Sequence, residues 1–489
     1  MSAERILVLD EGTTSTRAMV YDAGGTLLHV SQAPIIQHYP QDGWVEQDAE
    51  EIFSASLACM RQAVEAAGGA GRIRALGIAN QRETVVAWDR VTGRPLCRAV
   101  VWQDRRTAPD CAALKEAGHE ALVQQRTGLL LDPYFSASKM GWMLRHVPEV
   151  RAAGERLALG TIDSWLVWNL TGGLHVTDPT NASRTALFAL DGQGWDRDLC
   201  DLFGVPAAAL PEVIGNAGPI GTLSPEWLGA PIPICGMAGD QQAATIGQGC
   251  LAPGQGKATF GTGAFVLVNT GTALPRSGNR LLGTVLADIG GERTYALEGS
   301  IFVAGSLIKW LRDGLGLLSS AEESEALARS VSDNGGVAIL PALAGLGAPH
   351  WRSDVRGVIT GLTQASTRAH VARAALEAMA HQCHDLAAAF AADCAAWTLL
   401  RIDGGMSGNN WLAQDLADVL TLPLERPADI ETTARGAAML AAVGAGLYAD
   451  LPAACAMLPP VERFTPHMDD STREARLASW RRLLLQNLA

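Results

Sequence analysis

Charge is scarce in this chain, and basic charge scarcer than acidic. Asp, Glu, Lys and Arg make up 18% of the 489 residues, and 51 acidic against 38 basic side chains leave a net charge of −13. The charge is spread along the sequence and not gathered in a tail, so the chain repels nucleic acid and anionic membranes, and neither is expected as a partner. An anionic substrate would need local help from helix N-termini, backbone amides, an arginine or a metal ion. No apolar run reaches the ~18–20 residues that span a bilayer. Met1-Ser2-Ala3-Glu4-Arg5 runs straight into a strand-like Ile6–Leu9 with no secretory leader pattern. The nine cysteines form neither Cys-x-x-Cys pairs nor an even framework, the usage of reduced thiols in a cytoplasmic protein. The phosphate-loop pattern Gly-x-x-x-x-Gly-Lys-[Ser/Thr] is missing too: Gly256-Lys257 is followed by Ala258, and Leu251 stands where the first glycine belongs.

What is present is an ordinary folded composition, 48% hydrophobic, in a chain longer than one core usually supports. Apolar strand-like runs (5–9, 16–21, 26–30, 73–79, 84–88, 232–236, 257–261, 264–268, 337–340, 399–403) alternate with helical periodicity (48–67, 106–117, 137–146, 162–170, 302–315, 321–331, 368–393, 409–420, 431–447), which predicts an α/β fold with mixed sheets. The Gly- and Pro-containing stretch 247–256 is the best candidate boundary, giving halves 1–247 and 248–489. An internal echo supports two halves. Val8–Val20 and Lys257–Val268 both read strand, tight Gly-Thr turn, strand, with Gly12 and Gly261 about half a chain apart.

Several segments carry chemistry. Gly12-Thr13-Thr14 suits a phosphate, because glycine admits close backbone approach and successive amides and hydroxyls can donate. Arg17 follows within reach, and Asp10 is placed to hold a hydrated Mg²⁺. A plain hairpin whose Asp and Thr cap their own turn reads equally well from these residues. Asp240, after strand 232–236, is placed either to accept a hydroxyl proton or to cap a helix. Arg82-Glu83 offers donors and acceptors for vicinal hydroxyls, or a surface ion pair. Trp102 and Tyr134 could pack polyol carbons or belong to a core. Asp403-Gly404-Gly405-Met406-Ser407-Gly408-Asn409 is a glycine-rich turn at a helix start, suited to a nucleotide or to a tight connection. His381-Gln-Cys383-His384 puts metal-capable groups on one helical turn but lacks a fourth ligand, so no metal is assigned there. The basic, amphipathic 473–488 stretch reads as a docking helix.

Two long patterns then identify a resemblance: Tyr134-Phe-Ser136-Ala-Ser-Lys139-Met-Gly-Trp142-Met143, and Gly357-Val-Ile-Thr-Gly361-Leu362 continuing through His370-Val371 to Ala374-Ala-Leu-Glu377. Over nearly its full length the chain resembles the FGGY carbohydrate kinases. Asn80–Thr84, Trp102–Thr107, Asp132–Lys139, Thr177–Thr185 and Gly239–Ala244 are most similar to members acting on glycerol. The resemblance implies two RNase H-like domains of the actin and hexokinase type closing over a central cleft. It also implies transfer of the γ-phosphoryl of ATP to a terminal hydroxyl of glycerol, giving glycerol 3-phosphate. By the same resemblance Arg82, Glu83, Tyr134 and Asp240 bind acceptor hydroxyls, with Gln241 nearby, and Trp102 and Phe265 pack its carbons. Asp240 matches the general base, and Asp10 and Asp240 match the carboxylates that orient Mg²⁺. Thr14, Arg17 and Thr262, with Thr13, Ser15 and Gly261 in the same turns, match contacts to the ATP phosphates. Gly305, Ile308, Lys309, Gly405, Met406 and Asn409 match the nucleoside pocket. A homo-oligomer, dimer or tetramer, is implied as well.

There are departures from the family pattern. Glu11 stands where a glutamine is common, which would place one extra negative charge beside the phosphate turn, and Lys309 replaces a glutamine near the adenine. The stretch 215–231 lacks both the loop that binds fructose 1,6-bisphosphate in some relatives and the phosphorylated histidine of others, so neither control is expected. Two other readings stand beside this one: a kinase of the same family acting on erythritol, xylitol, xylulose or ribulose, and a non-catalytic sugar or nucleotide sensor on the same fold.

Overall fold

A computed structural model describes residues 4–488 apart from 193 and 353. Its frame is one long mixed sheet. In chain order its strands are β1 (Arg5–Glu11), β2 (Ser15–Asp22), β3 (Leu27–Pro34), β4 (Ile73–Asn80), β5 (Ala217–Leu223), β6 (Ile232–Gly239), β7 (Gln255–Phe260), β8 (Ala264–Gly271), β9 (Leu282–Ile289), β10 (Glu292–Ile301), β11 (Leu399–Asp403), β12 (Leu424–Pro427) and β13 (Val461–Phe464). They lie side by side as β13-β12-β11-β7-β8-β10-β9-β5-β6-β4-β1-β2-β3. Within that row one pattern occurs twice. β3-β2-β1 is an antiparallel meander continued by parallel β4 and β6; β10-β8-β7 is another, continued by parallel β11 and β12. The two half-sheets meet where β5 pairs with β9 at Ala217 and Ile289. This is the duplicated α/β architecture expected from the echo of Gly12 and Gly261.

The apolar runs explain the strands. Ile6 to Leu9 are buried on both faces of β1, as a central strand covered by helices on both sides requires. Of the helices, α1 (Ala49–Ala66) packs on this sheet, α2 (Ser136–His146) lies against the strand Val85–Asp89 of a separate four-stranded sheet, and α3 (Asp240–Gly247) returns to the long sheet. α4 (Gly305–Asp313) packs against α5 (Arg368–Ala392), which with α6 (Asn410–Leu420) and α7 (Thr432–Gly444) lies on the long sheet, while α8 (Asp470–Leu488) packs on α5. Asp48 caps α1, its side chain accepting from the amides of Glu50 and Glu51. On α8 the residues Leu477, Trp480, Leu483 and Leu484 are buried, so the amphipathic C-terminal segment docks as a helix.

The glycines of α3 and α7 let these helices touch backbone to backbone over the first half-sheet. A Cβ on Gly247 would lie 1.9 Å from the Thr432 carbonyl oxygen, and one on Gly436 1.8 Å from that of Ala243. The 282–301 segment, absent from the strands expected from sequence, forms β9 and β10 around a turn in which Gly290 and Gly291 take φ of 63° and 85°. Among the described residues, no helix is long and apolar enough to cross a membrane.

Candidate active site

The two Gly-Thr turns are the ends of the β1–β2 and β7–β8 hairpins. In the first, the Gly12 amide donates to the Ser15 carbonyl at 3.0 Å, and among the described residues no group accepts from the amides of Thr13 and Thr14. In the second, the Gly261 amide donates to the Gly263 carbonyl at 2.8 Å, while the Thr262 carbonyl accepts from the amides of Ala304 and Ser306. That ties the turn to the start of α4. Gly305 is required there, since a Cβ would stand 2.5 Å from the Gly261 carbonyl oxygen. The amides of Thr262 and Gly263, like those of Thr13 and Thr14, have no acceptor among the described residues, and amides free at a strand end are the arrangement that cradles an anion.

Arg17 lies across the first hairpin from Asp10 in register and donates to it at 2.7 Å, with its other terminal nitrogen on Glu431 at 2.6 Å. Asp10 is buried. Burial pushes its carboxyl up to about 6 and the nearby Asp240 adds to this, while Arg17 works the other way.

Glu11 corrects an expectation. Its side chain points to the opposite face of β1, wholly buried, with Ser56 Oγ donating to Oε2 at 2.9 Å and Oε1 without a partner among the described residues. Burial pushes its carboxyl up to about 8, so it is mostly protonated at neutral pH and adds no full charge beside the phosphate turn.

Between the turns lies a cavity of about 70 Å³ lined by Thr13, Arg82, Glu83, Trp102, Tyr134, Asp240, Gln241 and Phe265. All seven residues assigned to the acceptor by resemblance are brought together here. Trp102 and Tyr134 meet edge to face with centroids 5.5 Å apart, and Trp102 Nε1 donates to Thr13 Oγ1 at 2.9 Å. Glu83 holds the left-handed conformation at φ 63°, a strain on the order of 1–2 kcal/mol for a residue with a side chain. Asp240 opens α3 with its side chain 32% exposed; its Oδ1 accepts from the Gln241 amide at 2.7 Å. Gly239, and not Asp240, is the N-cap. Gly239 also makes room for Arg82, whose Cγ would be 2.7 Å from a Cβ at that position.

Behind this cavity are residues that the sequence did not single out. Lys257 is fully buried on β7 and donates to Gln241 Oε1 and, at 2.9 Å, to Thr259 Oγ1. Burial pushes its ammonium below the usual lysine range, against the pull of Asp403 and Asp240. Arg184 donates from Nε to Glu83 Oε1 at 2.6 Å and from Nη2 to Glu298 Oε1 at 3.1 Å. Arg82 donates from Nη1 to Glu298 Oε2 at 2.8 Å. Burial alone would raise the Glu298 carboxyl, yet Arg184 and Arg82 hold it at about 2. Arg184 lay inside a segment quoted for the resemblance. Glu298 had no local signal beyond the Gly290-Gly291 turn that marks its hairpin.

The residues that the resemblance assigns to a nucleoside divide in the structure. Met406 packs against Gly305, Cγ 3.1 Å from where a Cβ would be, so the glycine-rich turn and the start of α4 form one wall. Gly404, at φ 86°, lies so close to the Phe260 carbonyl that a Cβ would be 2.6 Å from its oxygen. Asn409 is the N-cap of α6, accepting from the Leu412 amide at 2.9 Å and donating to Ser324 at 3.3 Å. Lys309 is exposed, and Ile308 is fully buried in the core behind the wall.

Asp10 Oδ1 and Asp240 Oδ2 accept no hydrogen bond from the described residues, and among those residues no cluster of three metal-ligating side chains occurs. Two carboxylates with free oxygens suit Mg²⁺, which keeps most of its water and takes phosphate oxygens; they do not form an all-protein cage.

Comparison with known proteins gives a consistent result. Residues 5–247 match the N-terminal domain, and residues 256–445 the C-terminal domain, of the FGGY family of carbohydrate kinases. The chain is 55% identical over 479 residues to a glycerol kinase of Rhodospirillum centenum, covering 97% of this chain and 96% of the other. It is 53% identical over 481 residues to one of Alcanivorax borkumensis, covering 97% of each. Among solved structures it resembles Plasmodium falciparum glycerol kinase with ADP, at a TM-score of 0.95 and 33% identity over 100% of this chain and 99% of that one. A gluconate kinase of Lactobacillus acidophilus shares the fold at a TM-score of 0.90 and 20% identity.

Proposed function

The chain belongs to the FGGY family of carbohydrate kinases, and from that premise we propose that it transfers the γ-phosphoryl of ATP to a terminal hydroxyl of glycerol. The observation that carries the choice of acceptor is the size and lining of the cavity. At about 70 Å³ it is a small cavity, which suits a short polyol better than a bulkier sugar. Its charged and hydroxyl groups suit hydroxyls, and Trp102 and Phe265 suit the carbon edge. Relatives more than half identical over nearly the whole chain carry the same activity in their names.

In this reading Arg82 and Glu83 take two hydroxyls, with Tyr134 and Gln241 beside them. The third hydroxyl then meets Asp240, which accepts its proton as the phosphoryl transfers. The amides of Thr13, Thr14 and Thr262 hold the phosphates, with Ser15 and Gly261 shaping the turns and Arg17 contributing once it shares its carboxylate partners. Gly305, Gly405, Met406, Lys309 and Asn409 border the nucleoside, and Ile308 supports them from the core. Mg²⁺, held through water by Asp10 and Asp240, would neutralise phosphate charge. The halves 1–247 and 248–489 each bring one turn to the cleft. We place the enzyme in the cytoplasm as a homo-oligomer, a state that light scattering on the purified chain would check.

The test is an ADP-release assay with glycerol, erythritol, xylitol, xylulose and ribulose. Glycerol is expected to give the highest kcat/KM, and any other ranking removes the specific claim. Asp240→Ala should lose on the order of 10²–10⁴-fold in kcat while leaving the binding of metal-free ADP largely intact by calorimetry; near-normal turnover would remove Asp240 as the base.

A further inference from the structure

Arg82 has three carboxylates within reach, Glu83 at 3.9 Å, Asp240 and Glu298, and the way it is divided between the last two has a consequence for acceptor recognition. Asp240 Oδ1 lies 3.4 Å from Nε, close enough to attract but without a hydrogen bond. Glu298 Oε2 lies 2.8 Å from Nη1 and is hydrogen-bonded. Gln242 Oε1 shares Nη1 at 3.3 Å, and Nη2 faces Tyr134 at 3.5 Å. Glu298 is fully desolvated, whereas Asp240 keeps partial access to solvent. Charge-assisted hydrogen bonds between buried partners are the stronger ones, so Glu298 sets where the guanidinium points.

Glu83 is held in the same way. Its Oε1 accepts from Arg184 Nε at 2.6 Å, and Arg184 is itself anchored on Glu298 at 3.1 Å. Two arginines and two glutamates thus form a closed, buried, charge-balanced ring in which only Arg82 and Glu83 line the cavity. Arg82, Glu83 and Arg184 belong to the first half of the chain, while Glu298 comes from β10 of the second. The ring closes only when the halves are packed together.

Resting on the acceptor reading above, we propose that Glu298 and Arg184 are positioning residues for acceptor recognition. Glu298 keeps Arg82 turned to the acceptor hydroxyl and away from Asp240, and Arg184 turns Glu83 to meet the same molecule. Without Glu298 the guanidinium is free to close on Asp240, which removes the donor from the acceptor and pairs the carboxylate meant to receive its proton.

The test compares the parent chain with E298Q, which keeps the shape and one acceptor oxygen, and with E298D, which keeps the charge on a shorter arm. Steady-state kinetics are run with glycerol and with 1,3-propanediol, which lacks the middle hydroxyl. In E298Q the glycerol KM should rise on the order of tenfold to a hundredfold, the KM for ATP should stay within about twofold, and the preference for glycerol over 1,3-propanediol should shrink about tenfold. E298D should fall between E298Q and the parent. A general loss of packing would instead raise both KM values together and leave the preference intact, and that pattern overturns the proposal. So does an E298Q enzyme with parental KM and preference. If E298Q does not fold, the charge-balanced R184Q/E298Q double variant is measured in its place, with the same split expected and the same results overturning it. A parent chain that phosphorylates no polyol would overturn the acceptor reading itself, and this inference with it.

Discussion

Aligning Gly12 of the first hairpin with Gly261 of the second sets Asp10 against Thr259, Glu11 against Phe260, Val8 against Lys257 and Arg17 against Val266. The backbones are alike: an antiparallel pair, a glycine turn tied by one hydrogen bond, and a parallel strand on the far side. The side chains are not. Asp10 and Arg17 make the first hairpin an ion-paired, metal-suited edge, whereas the second offers Thr259 and a valine. Glu11 and Phe260 occupy the same inward position, and both are buried. That shared burial explains why Glu11 keeps its proton: the frame treats the site as core whatever residue stands there. Lys257 is the converse case, a buried cation where the first hairpin has a core valine, and it is used to hold Gln241. The duplication thus supplies two glycine turns of like backbone, and departures between the copies supply their different side-chain chemistry.

The comparison can be broken at its strongest point. If only the first hairpin carries metal-suited charge, Asp10→Asn should lower kcat on the order of 10²-fold and weaken the Mg²⁺ dependence. Thr259→Val should leave kcat within about threefold; equal losses in the two variants, measured in one coupled assay, would end the asymmetry.

Lys257→Met tests the inverted position. Its loss frees the Gln241 side chain, so the acceptor KM should rise about tenfold with little change in ATP affinity, and a KM unchanged for both substrates would reduce Lys257 to packing.

The smallest effect concerns Glu11. Its carboxyl titrates at about 8 in the fold, against an ordinary value of 4.5. The folded state is therefore the tighter proton binder between those values, and the contribution of Glu11 to stability declines as pH rises through that window. Glu11→Gln should leave Tm unchanged near pH 4.5 and raise it by a few degrees at pH 8.5, with no divalent cation added and kcat unaltered at pH 7. A Tm difference independent of pH would show Glu11 to be ionised after all.

Much of this is legible in the sequence. The apolar runs of β1, β2, β4, β6, β7, β8 and β11 are short, bounded by turn residues and buried as expected. The helices at 368–392 and 410–420 begin within about a residue of their expected starts, a margin that frayed ends commonly show. β9 and β10 were missed because glycine and charged residues interrupt their alternation, although Gly290-Gly291 marked the hairpin. Arg82, Glu83, Trp102, Tyr134, Asp240, Gln241 and Phe265 are assigned to the acceptor by the family resemblance, and they do line one cavity. Ile308 was named from the same resemblance, yet its side chain faces the core, since a helix that borders a pocket must turn its apolar side inward.

By itself the sequence determined the α/β class, the duplication, the two Gly-Thr turns and the residues able to meet a polyol, because each is written in local periodicity, turn chemistry or a contiguous motif. Tertiary structure alone decided which charges count. It joined Arg82 to Glu298 across 216 positions, set Lys257 behind Gln241, and buried Glu11 deeply enough to keep its proton. Ionisation and side-chain aim depend on desolvation and on partners distant in the chain, and local sequence carries no record of either.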